Sequence, residues 1–239
     1  MLKALQGIFL QVVDNSTYTT MSIKVHILTA SRDIKPYAAE LRSIAKSAVA
    51  AVKKLLQIEN IDIVFYDNPE ATFKDGELGG IGGFTPNAHT IFISLNPRHP
   101  SFEKALKNEL LFTLAHELHH TIRWQKPVEE DTLLEAMVFE GLADHFAMEV
   151  TGRQKPSVYS CALTQAQKKI FLKKASKEWN KPAYNHDEWF YGSTPKVIPR
   201  WTGYTLGYDL VATYLQTHSG ALPSKLTCTD ASLFIGGDR

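Results

Sequence analysis

Three short apolar stretches and a series of helical repeats set out the chain. Residues 22 to 30, SIKVHILTA, are rich in β-branched and apolar side chains and predict a strand that stops at Ser31-Arg32-Asp33. Residues 37 to 57 switch period: Leu41, Ile44, Ala48, Val52 and Leu55 recur at spacings of three and four in an Ala- and Lys-rich background, the pattern of an amphipathic helix. A second strand is predicted from Ile61 to Tyr66, closed by the Asp67-Asn68-Pro69 turn. The glycine-rich run GELGGIGGF at 76 to 84 leads through Thr85-Pro86-Asn87 into a third strand, TIFISL at 90 to 95.

Prolines 97 and 100 end that strand, and Ser101 is placed to cap a long helix from about 102 to 124. A second helix is expected from about 129 to 150, before Thr151-Gly152, and residues 156 to 180 again carry a helical pattern. An aromatic and proline-rich connection at 181 to 200 precedes a last helix at 203 to 217. A small mixed sheet followed by a mainly helical second half predicts an α+β fold. Residues 21–239 are expected to form one domain, with an α/β part carrying an edge strand at 21–100, paired helices at 101–155 and a helical part at 156–239. Met21 directly precedes the first strand, so residues 1–20 are read as an extension outside the fold.

Composition narrows the function. The 239 residues include 44% hydrophobic side chains, enough for an ordinary buried core. Lys plus Arg number 26 and Asp plus Glu 25, and a net charge of +1 provides no broad footprint for nucleic acid or an anionic membrane. Cys161 and Cys228 lie far apart in no metal-type spacing, which predicts reduced thiols and a cytoplasmic protein. The apolar run near the N-terminus is too short to cross a bilayer and lacks a small-x-small cleavage site. No GK[ST] or GxGxxG sequence is present, so the glycines do not form a phosphate loop; they would let a backbone approach closely or form a plain turn.

The chemistry concentrates in HELHH at 116 to 120. His116 and His120 are four apart and project from one helix face about 40° apart, so two imidazoles can share one ion. Glu117 lies about 100° from His116, where a carboxylate can act as general base on a water without occupying the metal. Leu111, Leu114, Leu118 and Ile122 fall on the opposite side, giving the helix a core face. A catalytic zinc needs a third protein ligand and an open position. Glu140 follows His120 after 139 − 120 = 19 intervening residues, and Asp144, one turn further on, is placed to accept the second ring N–H of a ligating histidine. Glu135 is a rival third ligand and His119 an alternative one; His145 is read as a hydrogen-bonded or partly exposed side chain.

Amide hydrolysis also needs a donor for a developing oxyanion. Tyr204 and Tyr208, four apart in GYTLGYDLV, are the candidates, with Arg200 and Trp201 as further pocket residues; a Tyr pair packed in the core is the competing reading.

HExxH with Glu after 19 residues and Asp four later resembles the pattern of thermolysin-type gluzincin peptidases. A closer resemblance runs through most of residues 60 to 235: GGIGGFTPNAHTIFISLNP, LAHELHHTIR, LLEAMVFEGLADHFAMEVTG and PRWTGYTLGYDLV are similar in order and wording to the predicted Zn-dependent proteases of the DUF2268 family. The resemblance implies a compact zincin-like metallopeptidase fold, with zinc on His116, His120 and Glu140, Glu117 as base, and a peptide or protein as substrate. Two other readings use the same residues. A zinc-containing sensor would fill the fourth metal position with a protein ligand, and a small-molecule amidase would enclose its pocket.

Overall fold

A computed structural model describes residues 22–72, 78–126, 132–181 and 183–236. The sheet is built from β1 (Ile23–Ile27), β2 (Ile61–Asp67), β3 (Ile81–Asn87) and β4 (Thr90–Leu95) in the spatial order β1-β2-β4-β3. β1, β2 and β4 are parallel neighbours, and β3 closes one edge antiparallel to β4. Period-two patterning aims Ile61, Ile63 and Phe65 of β2 and Ile91, Ile93 and Leu95 of β4 into one core. Helix α1 (Ala38–Val52) crosses over between β1 and β2 and buries Leu41, Ala45, Ala48 and Val52 against it. This helix was expected to reach residue 57, but it ends at Val52, and Leu55 beyond its end is exposed.

The glycine-rich run is itself strand from Ile81, a feature that its lack of alternating side chains concealed. Pro86 sits at a register shift between Phe84 and Asn87, the kind of edge-strand bulge where a missing N–H is tolerated. The long helix expected from 102 to 124 is two, α2 (Phe102–Asn108) and α3 (Leu110–Arg123), broken at Glu109. Ser101 makes no side-chain cap. The carboxylate of Glu109 instead takes a 2.7 Å hydrogen bond from Arg153, whose guanidinium lies over Phe112.

Helix α4 (Leu133–Thr151) is capped by Thr132, whose side chain accepts from the Glu135 N–H. The second half adds α5 (Gln165–Ala175), capped by a Thr164–Gln167 box, the short α6 (His186–Phe190) and α7 (Thr202–Thr217). The architecture is α+β, with a small mixed sheet and seven helices among the described residues. The expectations for residues 1–20, for the start of the glycine run and for a helix start near 129 concern residues outside the described set. No helix among the described residues is long and apolar enough to cross a membrane, and Cys161 and Cys228 are free and exposed.

One contact orients the second half. Where α4 crosses α7, a Cβ on Gly207 would lie 1.9 Å from the Met137 carbonyl oxygen, and one on Gly141 would lie 2.2 Å from the Gly207 oxygen. The two backbones touch there, and Gly141 directly follows Glu140. Intrinsic propensity would make Gly207→Ala stabilising by about 1 kcal/mol. The backbone clash reverses the sign, and we expect a loss of at least about 2 kcal/mol in denaturant unfolding. A neutral or stabilising result would mean that the helices separate without cost.

Candidate metal centre

Helix α3 is buried on nearly every side, because the sheet core takes one face while α4 and β3 cover the other. Leu114 and Leu118 lie in the core, with Leu111 and Ile122 packed against it. On the remaining face His116, Glu117 and His120 are each about 5% exposed or less and line a cavity of about 470 Å³. The His116 and His120 rings have centroids 4.5 Å apart.

Glu140, delivered by α4, lies between them: its Oε2 is 3.1 Å from His116 Nε2 and 3.5 Å from His120 Nε2. One ligand atom from each of the three side chains falls within 4.8 Å of the others. Two imidazole nitrogens and a carboxylate oxygen, converging at this spacing beside an open cavity, suit the donor set and three-ligand count of a catalytic zinc. Burial works against charge on His116, but hydrogen bonds with Asp144 and Glu140 and the negative charge of Glu140 and Glu117 outweigh it and hold the pKa well above the usual histidine value. Burial would raise the Glu140 carboxyl; the His120 charge and hydrogen bonds from both imidazoles hold it below the usual carboxylate range.

Asp144 is fully buried and accepts from His116 Nδ1 at 3.1 Å, from the Tyr159 hydroxyl at 3.0 Å and from the Ser160 hydroxyl. That arrangement fixes the His116 ring and leaves Nε2 facing Glu140. His120 has no such support. Its Nδ1 has no hydrogen-bond partner among the described residues, and its ring is held by stacking on Phe139, 4.0 Å between centroids.

Glu117 is held from β3. Thr85 Oγ1 donates to its Oε2 at 2.6 Å and also reaches its backbone carbonyl at 3.3 Å. A Cβ on Gly83 would sit 2.3 Å from Glu117 Oε1, so a side chain at this strand position would displace the carboxylate.

The rival ligands are engaged elsewhere. His119 is fully buried and packs on Phe146, 5.2 Å between centroids, and neither ring nitrogen has a hydrogen-bond partner among the described residues. Burial, then the charges of His120 and Arg123, push its pKa well below the usual value, so it packs as a neutral ring. Glu135 lines the cavity but is paired with Arg123 at 2.7 Å and Lys126 at 3.1 Å. His145 stacks on Tyr208 and donates Nε2–H to the Tyr208 carbonyl at 3.1 Å.

The two tyrosine candidates part company. Tyr204 lines the cavity and hydrogen-bonds to Tyr191; burial first, then the negative charge of Glu140, push its pKa well up, so the hydroxyl keeps its proton. Tyr208 is not among the lining residues, and its hydroxyl points to Met148 Sδ at 3.6 Å. Arg200 and Trp201 do not line the cavity either; the Arg200 guanidinium lies over the Trp201 ring. Sequence reasoning missed Thr85, Tyr159, Ser160 and Tyr191: Thr85 and Tyr191 sit in stretches without helical period, and Tyr159 and Ser160 fall in a 3-10 turn ahead of α5, where a helical pattern was expected from 156 to 180. The one signal available was the wording of GGFTPN and its place just ahead of the strand at 90 to 95.

Replacing Asp144 by Asn keeps the volume and removes the charge behind His116. Zinc affinity should fall about 10- to 100-fold in a chelator competition, with the fold retained. An unchanged affinity would show that Asp144 does not tune the ligand.

No curated protein and no solved structure matches the chain. The profile of one family does match, over residues 41–236, a span that contains both helices of the metal centre, the strand beside them and α7. The chain therefore belongs to the DUF2268 family, described as predicted Zn-dependent proteases.

Proposed function

We propose that this cleft hydrolyses peptide bonds, with zinc held by His116, His120 and Glu140. The observation that carries the reading is the meeting of three converging ligand atoms with a fourth side chain, Glu117, that lines the same cavity and is engaged by strand β3. Zinc bound there supplies a Lewis acid that lowers the pKa of a water and polarises a carbonyl. Glu117 accepts the proton of the attacking water and returns it to the leaving amine. Thr85 engages Oε2 for this task, and Oε1 lies beside Gly83, where no side chain competes for it. Tyr204, protonated and at the cavity wall, turns its hydroxyl from Tyr191 to donate to the oxygen that gains charge. Asp144 keeps the His116 ring in one orientation through the cycle.

The occupied state of Glu135 and the packing of His119 speak against a fourth protein ligand, and so against a purely structural zinc. A peptide is favoured over a small amide because β3 is an edge strand and its Gly83–Thr85 stretch lines the cavity. An extended substrate segment can add to such an edge.

The purified protein should contain one zinc, and Glu117→Gln should retain it while peptide cleavage, followed by mass spectrometry, falls by about 100-fold or more. Tyr204→Phe should lower kcat with zinc content unchanged. A protein free of zinc, or a Glu117→Gln variant at full turnover, would sink the proposal.

A further inference from the structure

The two ends of the cavity differ in chemistry. On the side of α6 and α7 it presents polar tips: Tyr204 bonds to Tyr191, and the Tyr184 hydroxyl is 2.9 Å from His186 Nδ1. Beyond Glu117, the side towards Trp124 presents aromatic carbon. The Phe139 ring lies against His120 and meets Trp124 edge-on, 5.4 Å between centroids. Trp124 has one polar atom, Nε1, and it is spent on the Thr85 carbonyl at 2.8 Å. That bond ties the indole to the edge strand and leaves its carbon face to the cavity.

Trp124 is nevertheless 46% exposed and Phe84, at the rim, 62% exposed. Large aromatic surface left open beside a set of converging polar groups is the usual composition of a ligand pocket. Ala136 supplies the room. It lines the cavity one helical turn before Glu140, on the same face of α4, and ends at a methyl group. Apart from the residues of the metal centre, the acidic and basic side chains on the wall are Arg123, Glu135 and His186; Glu135 is already paired with Arg123 at 2.7 Å and Lys126 at 3.1 Å, and His186 lies on the α6 side, bonded to Tyr184. A charged substrate group entering here would lose water and gain no free counter-charge.

We infer that the recess bounded by Trp124, Phe139 and Ala136 receives a large apolar or aromatic side chain of the substrate, next to the bond that is cut. This inference rests on the peptidase reading for its role in cleavage, but the pocket's preference is measurable without turnover.

The test is a fluorescence and calorimetric titration of the zinc-loaded Glu117→Gln protein with blocked hexapeptides that differ at one position among Phe, Leu, Gly, Asp and Lys. Phe and Leu peptides should bind about 10-fold or more tightly than the Gly, Asp and Lys peptides. Ala136→Trp, added to this protein, should reduce the difference to about 2-fold without changing zinc content. Trp124→Ala, at a half-exposed site and so a second check should the first variant misfold, should weaken the Phe preference by a similar factor. Equal or absent binding across the set overturns the inference, as does tighter binding of Asp or Lys, or a preference that both variants preserve. The peptidase reading fails separately, when peptides that bind tightly are left uncut by the wild-type protein.

Discussion

Three carboxylates and three imidazoles share the interior on and beside α3; His119 packs as a neutral ring, and burying the rest requires compensation for every charge. Asp144, fully enclosed, takes hydrogen bonds from His116, Tyr159 and Ser160. Glu117 takes one from Thr85, and Glu140 is flanked by both histidines. Those partners come from different parts of the chain: an edge strand, helix α3 and the 3-10 turn Val158–Cys161. Much of the fold around the centre follows from the need to bring them together. The bare contact between α4 and α7 is part of it, because it determines where the turn carrying Glu140 and Asp144 lies.

The two histidines are supported by different physics. His116 has a charged acceptor behind its ring, whereas His120 is held by the face of Phe139. A carboxylate behind an imidazole raises its basicity and fixes its tautomer; a stacked phenyl restricts orientation and excludes water. The second mode also joins the metal centre to the apolar wall, since Phe139 continues through Trp124 to the β3 backbone. Edge strand, aromatic wall and candidate ligand are thus mechanically continuous. On the opposite side the hydroxyl-bearing rings of α7 and its neighbours face the same carboxylates, and their raised pKa values keep them as donors.

Gly83 illustrates how a residue without a side chain can be specific. It lies on β3 where Glu117 comes closest, and the space a methyl group would need is filled by the carboxylate. At that position the inner face of the strand is open to α3.

Much of this was legible along the chain wherever a local repeat carried the information. Spacing of four put His116 and His120 on one face, leucines at threes and fours marked the core side of α3, and β-branched runs marked β1, β2 and β4; each depends on residues within a turn or two of one another. The break at Glu109 is not marked by the helical period, and the Glu109 carboxylate is paired with an arginine 44 residues away. Strand β3 escaped because glycines carry no alternation. The choice between Tyr204 and Tyr208 depends on where α7 crosses α4, and the grip of Thr85 on Glu117 spans 32 residues. By itself, the sequence determined the periodic elements, the candidate ligands and the family wording. Tertiary structure alone decided which hydroxyls face the carboxylates, which rival ligands are already paired and where the cavity turns apolar. Those outcomes are set by packing between distant segments, and no local period encodes them.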